Sequence, residues 1–199
     1  MATELELKLA IEPQEVDSFL AFVREQGWVV ANEQQMNNTY FDTPDQALKQ
    51  QRVALRIRQV DDRWIQTLKT AGTLDKDGIS HRGEWEWDLP GTELDLSRAQ
   101  GYLPSNIQAD SLKPVFTTHF TRITWMVVDQ SSSVEVALDR GKIMAAGKSV
   151  PISEVELELK SGSPQVLRQL SQLLMQKLRV QVDSCSKAQR AQRLLDQES

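Results

Sequence analysis

Hydrophobic and charged residues alternate strictly in two segments, one at the start of the chain and one in its last quarter. The segments are ELELKL at residues 4–9 and EVELEL at residues 154–159. Their charged residues are Glu4, Glu6, Lys8, Glu154, Glu156 and Glu158. A period of two residues is typical of a β-strand with one apolar and one polar face. Each segment therefore predicts a strand with a row of charged side chains along one face.

Further strand-like segments fill most of the chain. They are NNTYFDTP, VALRIRQV, DRWIQTLKTA, HRGEWEWDL, PVFTTHFTRITWMVVD, SSVEVALDRGKIMAAG and VPISEVELELKS. The dipeptide at Asp61 and Asp62 predicts a hairpin turn between two of these strands. Closure of an antiparallel sheet removes its exposed edges. We therefore predict a mainly β protein with helices (α+β), built on a closed eight-stranded antiparallel β-barrel.

Helical patterns flank these strands. An apolar stripe predicts a helix from Glu12 to Gln26, ended by Gly27, and a second from Ser163 as N-cap and Pro164 through residue 178. A last helix carries SKAQRAQRLLDQ, and short helices are expected between Leu94 and Leu112. Because no linker divides the sequence, we expect one domain over residues 1–199, with the C-terminal helices at about residues 163–197.

Composition narrows the class of protein. The chain has 199 residues, of which 40% are hydrophobic and 26% charged, and its net charge is −5. This acidity argues against a nucleic-acid partner, and we find no apolar run that could span a membrane. Cys185 is the single cysteine and no secretory signal is visible, which favours the cytoplasm. With two histidines, His81 and His119, a metal would be held by carboxylate oxygens.

The polar faces of the predicted strands carry mostly arginine and glutamate, with the two signs segregated by strand. The charged positions on the middle strands are Arg56, Arg58, Lys69, Arg82, Glu84, Glu86, Arg122, Glu135 and Asp139. For any one strand a solvated face is the simpler interpretation. The whole set favours a barrel whose charged faces point inward and whose apolar faces lie outside under the helices. On this hypothesis Trp85 and Trp87 lie outside the barrel under a helix.

A charged interior indicates a charged ligand, because unpaired buried charge is costly. Clustered carboxylates bind hard divalent cations, and clustered arginines and lysines bind phosphate oxygens. Metal-assisted phosphoryl transfer requires both kinds of group in one cavity.

The chain also resembles the CYTH domain, or triphosphate tunnel metalloenzyme, family. The signature ELELK at residues 4–8 is followed in the family's order by TYFDTP, LRIR, LK, RGEWE, VALDRG, EVELEL and SKAQR, so the resemblance covers essentially the whole chain. Its spelling is most similar to the bacterial inorganic triphosphatases. The resemblance implies an eight-stranded tunnel and a small-molecule triphosphate substrate with Mg²⁺ or Mn²⁺ as cofactor.

The resemblance also implies roles for individual residues. The implied metal ligands are Glu4, Glu6, Glu154, Glu156, Glu158 and Asp139. The implied phosphate-binding residues are Lys8, Arg56, Arg58, Lys69, Arg82, Arg122, Lys187 and Arg190. The implied catalytic set is Glu4, Glu6, Lys8, Glu84 and Glu156, with Glu84 and Asp139 as groups that could orient water.

These residues predict hydrolysis of inorganic triphosphate to pyrophosphate and phosphate by water attack. Three alternatives stay open: a class IV adenylyl cyclase, a thiamine triphosphatase, and a non-catalytic module that binds polyphosphate or nucleotide. The oligomeric state is also open, and a homodimer is compatible with the sequence.

Overall fold

The computed structural model describes residues 2–103, 107–129 and 131–196. The strands are β1 (Ala2–Ile11), β2 (Val30–Asp42), β3 (Ala54–Val60), β4 (Arg63–Lys69), β5 (Thr73–Leu74), β6 (Ser80–Leu89), β7 (Lys113–Val128), β8 (Ser133–Ala145), β9 (Lys148–Ser161) and β10 (Val180–Val182). The helices are α1 (Val16–Glu25), α2 (Ala47–Gln50), α3 (Leu96–Ala99), α4 (Gln165–Lys177) and α5 (Lys187–Asp196). Two 3₁₀ turns lie at Pro13–Glu15 and Ala109–Ser111.

Eight of the strands close into an antiparallel barrel. Their order around the barrel is β1, β9, β8, β7, β2, β3, β4 and β6, and the pairing of β1 with β6 completes the circle. The short strands β5 and β10 add to β6 and β1 beside this closure. The predicted fold class is therefore confirmed, as is the turn at residues 61–62 between β3 and β4.

Two helices cover one side of the barrel. Apolar residues of α1 and α4 pack on the outward faces of β1, β7, β8 and β9, and this cluster includes Leu7, Phe19, Trp125, Leu157 and Leu174. Phe19 and Trp125 meet edge to face, with ring centroids 5.6 Å apart. Ser163 is not the N-cap of α4 as predicted, because the helix begins one residue later, with Pro164 as N-cap.

The outward face of β3, β4 and β6 is covered by the segment between β6 and β7. The ring of Trp85 stacks on Tyr102 at 4.0 Å, and Trp87 packs in the same cluster. Gln66 holds the start of this segment through hydrogen bonds of 2.8 and 3.0 Å with the backbone of Asp95. Both tryptophans thus lie outside the barrel, as expected. The short helices α3 and Ala109–Ser111 are also as expected, while residues 104–106 of this segment lie outside the described residues.

The inward face is apolar at one end of the barrel. Inward residues of β2, β7, β8 and β9 pack there against α5. This cluster includes Met36, Phe116, Phe120, Ile143, Ile152, Ala191 and Leu194. The C-terminal helix therefore lies against the interior of the sheet rather than outside it, and it carries Lys187 and Arg190 toward the charged middle of the barrel.

The motif TYFDTPDQAL has a structural explanation. The buried carboxylate of Asp42, at the end of β2, accepts hydrogen bonds of 2.8 to 3.0 Å from the backbone amides of Thr43, Leu48 and Lys49. The hydroxyl of Thr43 accepts another from the amide of Ala47 at 2.9 Å. These bonds satisfy the amides at the start of α2. The motif thus fixes the turn that leads from β2 to β3.

A core substitution on β3 tests which of its faces points outward. Leu55 is fully buried in the outer cluster with Leu48 and Leu68. Leu55→Ala should lower the free energy of unfolding by about 2–5 kcal/mol, because it removes packed methyl groups and leaves a cavity. Val128→Ala, at a site that is 69% exposed, should change it by less than about 0.5 kcal/mol. Denaturant melts measure both, and equal effects would contradict the assigned face.

Candidate active site in the barrel interior

Two adjoining cavities occupy the barrel interior. The larger has a volume of about 640 Å³ and the smaller about 400 Å³. Both are lined by Glu6, Lys8, Lys69 and Arg82, together with Tyr40. Because these side chains come from β1, β2, β4 and β6, the two cavities meet across the middle of the barrel.

One wall of the site is formed by β1, β4 and β6. The carboxylate of Glu4 lies 2.9 Å from Lys69 Nζ and 2.7 Å from Arg82 Nε. Arg82 also contacts Glu6 at 3.1 Å, and Lys69 contacts Glu84 at 3.1 Å. The first predicted carboxylate strand and two predicted phosphate-binding residues are therefore in direct contact.

The adjoining wall, next to β1 around the barrel, is formed by β8, β9 and α5. One carboxylate oxygen each of Asp139, Glu154 and Glu156 lies within 4.8 Å of the others. Lys187 Nζ donates to all three, at 2.6 Å to Asp139 and 2.9 Å to Glu156. Arg190 donates to Glu154. Helix α5 therefore supplies the cations that neutralise this acidic cluster.

Arg122 on β7 joins the same cluster. Its guanidinium makes two bonds of 2.7 Å with the carboxylate of Asp139 and a further one with Glu156. Such a bidentate pair is strong and directional. Asp139 and Glu154 are almost fully buried and line neither cavity, whereas Glu156, Lys187 and Arg122 line the larger one. Part of the predicted metal set thus lies behind the cavity wall.

The arginines of β3 are paired much more loosely. Arg56 lies 3.8 Å from Glu84 and 3.9 Å from Glu86, and Arg58 lies 3.9 Å from Glu86. Arg56 also donates to the hydroxyl of Tyr40 at 3.2 Å. Its Nε is buried and has no hydrogen-bond partner within the part of the chain that the structure describes. Because both side chains line the larger cavity and their ion pairs are long, their guanidinium groups keep hydrogen-bonding capacity for a ligand there.

The remaining predicted residues occupy distinct places. Lys8 lines both cavities and donates to the backbone carbonyl of Cys185. Glu158 lines the larger cavity but lies outside the three-carboxylate cluster, and it pairs with Lys160 at 2.8 Å. Arg190 lines neither cavity. Its role as a phosphate ligand stays a prediction, and its observed contact is with Glu154.

Sequence reasoning missed Tyr40 and Asn38 on β2. Both are buried and face inward, and Asn38 accepts a hydrogen bond of 2.9 Å from Arg58. The signal was available, because the two residues share one face of a strand by their spacing. Neither side chain is charged, so a pattern of charged positions does not identify them.

The two carboxylates of β1 differ in acidity. Burial alone would raise the pKa of Glu4, but Lys69 and Arg82 outweigh it and hold that pKa well below the ordinary value. For Glu6, burial and the nearby carboxylate of Glu156 raise the pKa to about 7 despite the opposing charge of Arg82. Neighbouring strand positions on one wall thus hold one ionised carboxylate and one that titrates near neutrality.

The cations also respond to burial. Burial and the charges of Arg56 and Arg122 lower the pKa of Arg58 to about 10. Burial would lower the pKa of Lys187 as well, but Asp139 and Glu154 together raise it above its ordinary value. Lys187 therefore stays protonated beside its carboxylates. Arg58 is repelled by neighbouring arginines, and a bound anion would reduce that repulsion.

Comparison with known proteins agrees with this geometry. The CYTH domain family matches residues 2–191 of the chain. The inorganic triphosphatase of Haemophilus influenzae is 39% identical over 197 residues, which cover 96% of this chain and 54% of the relative. The chain thus spans about half the length of that curated relative.

Two solved structures share the fold at low sequence identity. HpAC1 from Hippeastrum, a candidate adenylyl cyclase with a dominant triphosphatase activity, superposes with a TM-score of 0.70 at 17% identity and covers 92% of each chain. A protein from Pyrococcus horikoshii superposes with a TM-score of 0.63 at 20% identity, covering 98% of this chain and 99% of the other. No helix in the described part of the chain is long and apolar enough to cross a membrane.

The raised pKa of Glu6 predicts a pH dependence of stability. Between the ordinary value of 4.5 and about 7, the folded protein holds a proton on Glu6 that the unfolded chain releases. In a chelator, the free energy of unfolding should therefore fall as the pH rises through this window, by up to about 3 kcal/mol. Glu6→Gln should make this fall smaller, leaving the part that comes from Glu84, whose pKa is also raised by burial, and the exposed control Glu25→Gln should keep the whole fall. Denaturant melts at pH 4.5 to 7.5 decide, and parallel curves for Glu6→Gln and the unmodified protein would contradict the assignment.

Proposed function

The chain belongs to the CYTH family, and from this premise we propose that it is a divalent-metal-dependent triphosphatase that hydrolyses inorganic triphosphate to pyrophosphate and phosphate. The observation that carries the proposal is the larger cavity, in which loosely paired arginines on β3 face carboxylates on β1 and β9 across the barrel interior. The named activity of the Haemophilus influenzae relative supports the choice of substrate.

The arginines of β3 are the best candidates to grip the phosphates. Arg56 and Arg58 have ion pairs of 3.8 to 3.9 Å, longer than a direct charged hydrogen bond, so a phosphate oxygen can replace them without breaking a tight pair. Lys69 and Arg82 extend the cationic lining along β4 and β6, and Lys187 and Arg122 along the other wall. A linear triphosphate would be neutralised from both sides.

The donor set fits a hard divalent cation. Glu4, Glu6 and Glu156 line the larger cavity and offer only oxygen ligands, which suit Mg²⁺ or Mn²⁺. Asp139 and Glu154 adjoin Glu156 behind the wall. A bound cation would polarise phosphate oxygens and lower the pKa of a water molecule. Glu158 lies outside this cluster and is paired with Lys160, so its role as a ligand stays a prediction from the resemblance.

Glu84 is placed to help the attacking water. It lines the larger cavity, lies 3.1 Å from Lys69, and burial raises its pKa above the ordinary value. A carboxylate with a raised pKa is a better proton acceptor at neutral pH. We assign Glu84 to orient water and accept its proton during in-line attack on a terminal phosphorus, while Lys8 and Lys69 hold the phosphate. No covalent intermediate is required.

A substrate panel tests the reaction. With Mg²⁺ or Mn²⁺, phosphate release from inorganic triphosphate should be faster than from ATP or thiamine triphosphate. ATP should give no cyclic AMP, because the larger cavity offers, among the residues that the structure describes, no free aromatic ring on which adenine could stack. Its aromatic lining in that part of the chain is Tyr40 and Phe120. Tyr40 is stacked on Phe116, and Phe120 is covered by Arg122 and Lys187. Phosphate and cyclic AMP are measured separately. Cyclic AMP formed from ATP faster than phosphate from triphosphate would identify a cyclase instead.

A binding measurement tests the phosphate grip of β3. Arg56→Ala should weaken binding of a slowly hydrolysed triphosphate analogue by roughly 1.5–3 kcal/mol, the range for a hydrogen bond to a charged group. Arg24→Ala, the same charge change at an exposed position of α1, should leave the affinity unchanged. Calorimetric titration measures both variants. Normal affinity in both Arg56→Ala and Arg58→Ala would mean that β3 does not line the substrate site.

A further inference from the structure

Two glutamates face each other at one opening of the barrel. Glu135 on β8 and Glu158 on β9 are direct cross-strand partners, and Glu158 is also the partner of Glu6 on β1. All three line the larger cavity, and Glu135 and Glu158 do not line the smaller one. Like charges directly opposite each other destabilise a sheet. The proposed triphosphatase mechanism assigns no role to Glu135.

Lys160 bridges this pair. Its ammonium lies 2.8 Å from Glu158 and 3.4 Å from Glu135. Lys160 also lines the larger cavity and does not line the smaller one. The three side chains are 26 to 37% exposed, so solvent reaches them. We call Glu135, Glu158 and Lys160 the rim. Burial opposes the charge on Lys160, yet the hydrogen bond to Glu158 raises its pKa, so the bridge remains ionic.

The rim carries a net negative charge. Two carboxylates share one ammonium, and among the described residues Lys160 is the ion-pair partner found for either of them. Further inside the same cavity the charge reverses, with Arg56 and Arg58 loosely paired. An anion in the cavity is thus attracted at its centre and repelled at this opening. The smaller cavity has basic residues of its own, Lys49, Arg52 and Arg193.

We infer that the rim determines specificity by limiting the phosphate chain to the length that the cationic interior covers. This inference rests on the proposed function and names the substrate class more narrowly. A linear tetraphosphate that occupies the same contacts would extend its additional phosphate toward Glu135 and Glu158. The charge of that phosphate would meet a net negative field at short range. A triphosphate bound at the same contacts would end before it reaches Glu135 and Glu158.

Two variants change the rim charge in opposite directions. Glu135→Gln leaves one carboxylate and one ammonium, and Lys160→Gln leaves two carboxylates without a bridge. The ratio of kcat/KM for tetraphosphate to that for triphosphate should rise about 3- to 10-fold in Glu135→Gln and fall by a similar factor in Lys160→Gln. Both shifts should shrink as salt is added, because the rim is partly exposed to solvent. Thermal melts confirm that each variant is folded.

Two further variants provide controls. Glu25→Gln makes the same charge change on the outer helix α1 and should leave the ratio unchanged. Arg52→Gln, at the smaller cavity, should also leave it unchanged. An unchanged ratio of kcat/KM for tetraphosphate to that for triphosphate in Glu135→Gln overturns the inference. So does a ratio that falls in Arg52→Gln, since the chain would then extend through the other cavity.

The same variants separate the two proposals. The unmodified protein could hydrolyse triphosphate while the ratio of kcat/KM for tetraphosphate to that for triphosphate is the same in the rim variants. In that case the inference fails and the proposed function stands. If the unmodified protein hydrolyses neither compound, the proposed function fails, and calorimetric affinities for triphosphate and tetraphosphate replace the rates. A tetraphosphate affinity that rises relative to triphosphate in Glu135→Gln then supports the rim, and an unchanged relative affinity overturns it.

Discussion

Charge compensation inside a closed barrel is the constraint on which the rest of the structure depends. Asp139 and Glu154 are almost fully withdrawn from solvent, and a buried carboxylate is costly unless it is paired and hydrogen-bonded. Lys187, Arg190 and Arg122 supply those pairs. Since two of the three cations come from α5, the helix is required by the electrostatics of the barrel as well as by its own apolar contacts.

The strands β8 and β9 and the strand β3, which face each other across the barrel, solve this problem differently. On β8 and β9 the pairs are tight, multiple and buried, which holds Glu156 and Lys187 in fixed positions beside the cavity. On β3 the pairs are near the limit of an ion pair, and one guanidinium nitrogen of Arg56 is unpartnered in the described chain. A preorganised wall opposite an under-compensated one is suited to a polyanion, because the ligand supplies the charge that the second wall lacks.

The strands, their faces and the charged side chains that point inward from them could be predicted from the sequence because all three depend on a period of two, whereas the roles of those side chains were implied by the resemblance. The residues ELELK and LRIR show which side chains share a face, and a face that is charged on most strands must point inward if helices cover the other. The position of α5 could not be predicted in this way. Its residues Ala191 and Leu194 form an ordinary apolar stripe, and only tertiary packing shows that the stripe meets the inner face of the sheet.

The same limit applies to Asp139 and Glu154, whose role as metal ligands is implied by the resemblance and stays a prediction. Alternation shows that a side chain points inward, but not how far it lies from the ligand. That distance depends on cross-strand register and on what fills the barrel at each level. Glu154 is level with Asp139 on β8 and Ala10 on β1, where Lys187 and Arg190 enter from α5. Its neighbour two residues on, Glu156, is level with Lys8, where the cavity begins.

The stability of the molecule must therefore come from apolar packing, on the outside of the barrel and at its apolar inner end against α5. Buried ion pairs contribute little net stability compared with apolar packing of similar volume, so the charged interior cannot hold the fold together. The outer clusters around Leu7, Phe19 and Trp125, and around Leu55 and Leu68, supply the apolar burial. They also fix which face points inward. A slip of one residue would turn the apolar side chains of a strand toward the interior and its charged side chains toward the outer clusters. The apolar exterior thus maintains an interior whose charges would otherwise favour solvent.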